Sequence, residues 1–159
     1  MNNTSHTGVP RKRPAWISYE LPLLACLALI WILSDQPSLP GPGERGSLIR
    51  DIFNYGSHAL IYAVVAVLAW RVIRFRAAAL PRWLAAYPRF WAALFALSWG
   101  LLDEYHQSFI PGRTASPWDA LADLLGALLG LWLGPRLLAL WAAHRGEITA
   151  RAGCLTDRV

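Results

Sequence analysis

Apolar residues along the chain fall into four runs separated by polar breaks. The first, Ala15 to Leu33, holds a single charge, Glu20. At ~1.5 Å per residue it covers most of a ~30 Å hydrocarbon core, which predicts a transmembrane helix. A cleaved signal peptide is the rival reading, but the run is long and no small-residue cleavage site follows it. Ser34 to Pro42 (SDQPSLPGP) ends the helix, since its three prolines cannot continue one. Leu48, Ile49, Ile52 and Phe53 then recur at helical spacing beside Arg50, Asp51 and Asn54, the pattern of a short amphipathic helix at the interface. From Ile52 to Trp70 there is no Asp, Glu, Lys or Arg, which predicts a second span. Its first turns carry Tyr55, His58 and Tyr62 on one face.

The later runs are shorter. Phe90 to Leu102 has 13 residues before Asp103, and Leu124 to Pro135 has 12 after Asp123. Thirteen residues reach only about 20 Å, so Asp103, Glu104, Asp119 and Asp123 are expected to dip below the headgroups. Between them, Ile110-Pro111-Gly112-Arg113 suits a chain reversal. Thr114 to Trp118 reads as a helix start, with Ser116 as N-cap, Pro117 in the first helical position and Asp119 in the first turn. Upstream, Arg71, Arg74, Arg76, Arg82 and Arg89, interrupted by Pro81 and Pro88, read as a basic loop. The expected fold is an all-α membrane protein: a four-helix transmembrane bundle with a short interfacial amphipathic helix between the first and second helices. Residues 1–14 form a basic tail, 15–141 the bundle and 142–159 a C-terminal tail.

Composition agrees, with 55% hydrophobic residues and nine tryptophans in 159 residues. Tryptophan belts membrane interfaces, so the nine need no further role. The fifteen Lys and Arg bracket apolar runs instead of forming one stripe, which argues against a nucleic-acid partner. Twelve of them fall in residues 1–14, 71–89 and 136–159. By the positive-inside rule both termini are then cytoplasmic, in a bacterial cytoplasmic membrane. The other side receives seven of the ten acids: Asp35, Glu44, Asp51, Asp103, Glu104, Asp119 and Asp123. Cys26 lies in an apolar run and Cys154 in the polar tail, too far apart in depth to pair.

Charges near hydrocarbon cost about 2.5 to 3.5 kcal/mol each on insertion scales and tend to mark functional or ion-paired sites. The candidate site is therefore His58, Tyr62, Glu104, Gln107, Arg113, Asp119 and Asp123, drawn from three helices at one depth. Each has a plainer reading: His58 as a hydrogen-bonded core histidine, Asp119 as a helix-terminal charge, Asp103 as a solvated interfacial charge, Arg113 as a headgroup anchor. Arg113 is also the natural ion-pair partner for Glu104 or Asp119. Gly126, Gly130 and Gly134 continue the stripe of Asp119 and Asp123 and suit close helix packing. No cofactor is required. A divalent cation is kept as an alternative, with His58, Glu104 and Asp119 as candidate ligands.

Glu104-x-x-Gln107, then Pro111-Gly112-Arg113, Asp119, Gly126 and Gly130, with upstream His58-x-x-x-Tyr62, resembles the VanZ-like family of small bacterial membrane proteins over roughly Ser34 to Leu133. The chain differs from the family's usual pattern in two places. Asn54-Tyr55 stands where Asp-Lys is usual, and Asp123 where Asn is usual. The family's founding member is associated with teicoplanin resistance. The resemblance implies an envelope protein that binds or shields a cell-wall component, lipid-linked precursor or glycopeptide at an outward-facing polar site, with membrane lipids and a second copy of itself as candidate partners. Two alternatives stay open: an intramembrane enzyme on a lipid-linked substrate, and a small proton-coupled transporter. Against the enzyme, no HExxH or Ser-His-Asp order is present. A transporter of four helices would need to oligomerise.

Overall fold

The computed structural model describes residues 14–37, 40–44, 46–113 and 116–156, with side chains to residue 145. Residues 1–13, 38–39, 45, 114–115 and 157–159, and the side chains of residues 146–156, lie outside the described residues. Among the described residues every regular element is helical: α1 (Ala15–Ser34), α2 (Leu48–Arg76), α3 (Arg82–Ala86), α4 (Pro88–Gln107) and α5 (Pro117–Thr156). Three of them, α1, α2 and the Pro117–Arg145 part of α5, are long and apolar enough to cross a membrane. α4 is not in that class, because its apolar stretch is short and ends on Asp103 and Glu104.

The separate amphipathic helix expected over Leu48 to Asn54 is not separate. Ser47 caps it, its side chain accepting from the Arg50 N–H at 3.3 Å, and the helix runs unbroken to Arg76. No proline interrupts the backbone ladder between Leu48 and the apolar run, so the two segments propagate as one. The expected basic loop between Arg71 and Arg89 is mostly helical too. α2 extends through Arg76, and α3 fills the space between Pro81 and Pro88. At the far end α5 continues beyond residue 141, into the segment expected as a tail.

α2 and α5 pair in parallel with a near-constant offset. Ideal Cβ atoms at Gly126 and Gly130 would lie 2.0 Å from the Ala59 carbonyl oxygen and 2.5 Å from that of Ala63, and one at Gly134 would lie 2.5 Å from Val67 Cγ2. Three glycines spaced by four residues thus sit against three α2 residues spaced by four. At Gly126 and Gly130 the backbones meet directly, and at Gly134 the Val67 side chain fills the gap; close van der Waals contact is the main attraction available to helices surrounded by lipid.

Much of what is buried is small or polar: Ala66, Ala69, Ala92, Ala96 and Ala127 and a group of carboxylates, packed with Leu27, Ile30, Tyr62, Val65 and Leu131. What is exposed is large and apolar, including Leu24, Ile32, Leu60, Leu125, Leu129 and Trp132. Water would penalise so much contiguous apolar surface. A bilayer would not, and the chain is a membrane protein.

Contacts between α1 and α2 hold the end remote from the acids. Pro22 has no N–H, so the Ser18 carbonyl loses its i+4 donor. Arg71 Nη2 donates to that carbonyl at 3.3 Å. Glu20, the one charge in the first apolar run, is ion-paired with Arg76, and Tyr19 stacks on Phe75 with centroids 4.2 Å apart.

Candidate functional site

The reversals after α1 and α4 put four helix ends at one level: the C-terminal ends of α1 and α4 and the N-terminal ends of α2 and α5. Asp103 and Glu104 are neighbours on α4, about 100° apart around its axis, and they turn to different helices. Asp103 faces α1, where Ser34 Oγ donates to its Oδ1. Gln107, one turn on, donates from Nε2 to Asp103 Oδ2 at 2.9 Å and to Ser34 Oγ at 3.3 Å. Glu104 faces the start of α5, where the Ser116 N–H donates to its Oε2 at 3.0 Å. Ser116 caps that helix as the sequence predicts, its Oγ accepting from the Trp118 N–H at 3.2 Å.

The α2–α5 register carries a second pair of contacts. Asn54 Nδ2 donates to Asp119 Oδ1 at 3.0 Å, and one turn later His58 Nδ1 lies 2.9 Å from Asp123 Oδ1. Both pairs are 65 residues apart, which continues the offset set by the glycines below them. A carboxylate only accepts, so the neutral imidazole carries its hydrogen on Nδ1 and leaves the Nε2 lone pair unused. Asp123 is enclosed because α4 offers it Gly100, where an added Cβ would lie 2.7 Å from Asp123 Oδ2.

Asp103, Glu104, Gln107, Asp119 and Asp123 are all buried, and three polar atoms of this region have no hydrogen-bond partner: Tyr62 Oη, Glu104 Oε1 and Asp123 Oδ2. One ligand atom from each of His58, Glu104 and Asp119 falls within 4.8 Å of the other two. Beside this cluster is a cavity of about 350 Å³. Ser34, Asn54, His58, Tyr62, Asp103, Gln107, Arg50 and Arg113 line one part of it, and Ile30, Leu33, Phe53 and Ile61 the other.

The structure therefore brings His58, Glu104, Gln107, Asp119 and Asp123 together at these helix ends and puts Tyr62 and Arg113 on the wall of the cavity beside them. Arg113 lines the cavity, but among the described residues it forms no ion pair with Glu104 or Asp119. Glu104 has taken a backbone donor from α5 instead. Asp103 is not a solvated interfacial charge, being 3% exposed. Tyr55 leaves the group: it is 36% exposed and borders a groove with Trp118 and Leu121. Three participants escaped the sequence reading as site members. Ser34 looks like the first residue of a breaker, Asn54 like the polar side of an interfacial helix, and Gly100 like an incidental small residue in an apolar run. Only the cross-helix register reveals them.

The sequence pattern of the VanZ/LLP1 family matches residues 21–139, a stretch that contains all of these side chains. The chain belongs to the VanZ/LLP1 family. No curated protein and no solved structure matches it. In this VanZ-like chain the matched stretch begins in α1 and ends in α5, so it includes every helix that contributes to the site.

Proposed function

We propose that this VanZ-like protein acts in the bacterial cytoplasmic membrane by holding the polar head of an amphiphile, such as a lipid-linked cell-wall precursor, in the cavity between α1, α2 and α4. In this reading α4 is the fourth span, both termini are cytoplasmic and the cavity faces outward. The observation that carries it is the cavity's division into two linings. Ser34, Asn54, His58, Tyr62, Asp103, Gln107 and Arg113 supply donors and acceptors, while Ile30, Leu33, Phe53 and Ile61 supply an apolar wall. A mostly preformed concavity of a few hundred Å³ with convergent polar groups is the general form of a small-ligand site. Here it lies among helices that present apolar side chains outward, so a ligand with a hydrocarbon tail can reach it from the lipid. Glycopeptide tolerance, teicoplanin included, would follow if the bound component is the one such antibiotics target.

The test is mass spectrometry of lipids retained by the protein purified in mild detergent, beside the same protein carrying Gln107→Ala or Ser34→Ala. Enrichment of one lipid-linked species over bulk phospholipid, reduced severalfold in both variants, supports the reading. Retention of bulk lipid only, unchanged by either substitution, sinks it.

A further inference from the structure

We propose that His58, Glu104 and Asp119 form a binding site for one divalent cation of the class that accepts mixed imidazole and carboxylate ligands, such as Mn²⁺ or Zn²⁺. Proximity is the first reason, since one ligand atom from each residue lies within 4.8 Å of the other two. Ions of this class hold their ligands at about 2.0 to 2.2 Å, which in tetrahedral geometry spaces ligand atoms about 3.4 Å apart. Closing the cluster onto an ion therefore asks for movements of about an ångström, within the reach of small side-chain rotations.

How the three ligands are held is the second reason. Each has one atom fixed by a neighbour and another left over. His58 is fixed through Nδ1 by Asp123, which leaves Nε2 with its lone pair. Glu104 is fixed through Oε2 by the Ser116 N–H, leaving Oε1, and Asp119 through Oδ1 by Asn54 Nδ2, leaving Oδ2. A carboxylate behind a histidine and hydrogen-bonded carboxylates are the usual outer partners of metal ligands.

The third reason singles out a ligand. Glu104 is 7% exposed, and its Oε1 is buried without any hydrogen-bond partner. A carboxyl oxygen left bare at that depth is costly, and buried polar groups are normally hydrogen-bonded or bound to a metal. Arg113, on the cavity wall, makes no ion pair with it among the described residues. Mixed nitrogen and oxygen ligands disfavour soft ions and suit Mn²⁺ and Zn²⁺. Three protein ligands also leave at least one coordination position for water or a ligand oxygen.

The full-length protein in detergent, stripped with chelator and exchanged into metal-free buffer, is titrated with Mn²⁺. Free aqua ion is followed by electron paramagnetic resonance, and Zn²⁺ is then added as competitor. One Mn²⁺ per chain, displaced by Zn²⁺, is expected. Glu104→Gln and His58→Ala should each weaken it at least tenfold, and Asn54→Ala, which touches only Asp119's outer oxygen, by a smaller factor. Asp35→Asn, an acid outside the cluster, should leave it unchanged. Should Glu104→Gln not fold, as judged by its elution profile, Asp119→Asn takes its place. No saturable Mn²⁺ binding, or binding equally strong in the His58 and Glu104 variants, overturns the site. Lipid retention is read separately, so loss of the lipid result leaves the cation site standing, and loss of Mn²⁺ binding leaves the amphiphile reading standing.

Discussion

Asp123 shows how one buried carboxylate can hold a neighbour in place. It is 1% exposed, accepts from His58 through one oxygen and leaves the other against Gly100. Asparagine at this position keeps an oxygen for His58 Nδ1–H, so Asp123→Asn should shift stability by less than about 1 kcal/mol. Alanine keeps nothing, and an imidazole donor abandoned in a buried place costs roughly 1 to 3 kcal/mol. Thermal melts of the two variants in one detergent check the contrast, and equal melting points would mean that the His58–Asp123 contact carries no weight. Ser34 makes a similar case on α1. It donates to Asp103 and lies next to Gln107, so Ser34→Ala removes a hydrogen bond to a charged group, worth about 1.5 to 3 kcal/mol. Neither Ser34 nor Gly100 was legible as a site residue in the sequence, because each looks ordinary on its own helix. His58, Glu104, Asp119 and Asp123 were legible, because titratable groups stand out inside apolar runs.

Helix pairing sets what these residues can reach. The sequence shows the stripe Asp119, Asp123, Gly126, Gly130, Gly134 on one face of α5 but cannot say which helix receives it. The structure gives α2, through Ala59, Ala63 and Val67. This register makes three glycine substitutions unequal. A methyl at Gly126 would lie 2.0 Å from the Ala59 carbonyl oxygen, which is backbone and cannot rotate away. At Gly134 the obstacle is a Val67 methyl, a side-chain atom and not backbone, so a small shift of one side chain relieves part of the clash. At Gly56 an added Cβ meets nothing within 4 Å. Gly126→Ala should therefore destabilise by about 1 to 3 kcal/mol or more as α5 is pushed off α2. Gly134→Ala should cost less, and Gly56→Ala should be neutral or slightly stabilising through helix propensity. Melting points in the order Gly56, Gly134, Gly126, highest first, check it, and a Gly126→Ala protein as stable as the parent would contradict the pairing. The same register explains the helix boundary that the sequence missed. Asn54 bonds to α5 from inside α2, so the amphipathic segment is the start of a bundle helix and not a separate interfacial one.

For the whole molecule, charge and burial point in opposite directions along the bundle axis. One end carries Arg71, Arg74, Arg76, Arg82 and Arg89, with Glu20 held by Arg76. The other collects Asp103, Glu104, Asp119 and Asp123 below a turn in which Gly112 adopts φ 86°, a conformation that favours glycine. Lysine and arginine resist translocation far more than acids do. Insertion should thus leave the arginine end in the cytoplasm and the carboxylate cavity outside, where cell-wall intermediates and glycopeptides are met. Ser108, just past α4, and Ala79, just past α2, are both exposed and stand at opposite ends. In a background with Cys26 and Cys154 replaced by serine, a membrane-impermeant maleimide added to intact spheroplasts should label Ser108→Cys and spare Ala79→Cys until the membrane is opened. The reverse pattern would turn the cavity toward the cytoplasm and remove cell-wall components from its reach. Labelling of both from outside would mean that α4 does not complete a span, since two cysteines separated by one crossing cannot share a side.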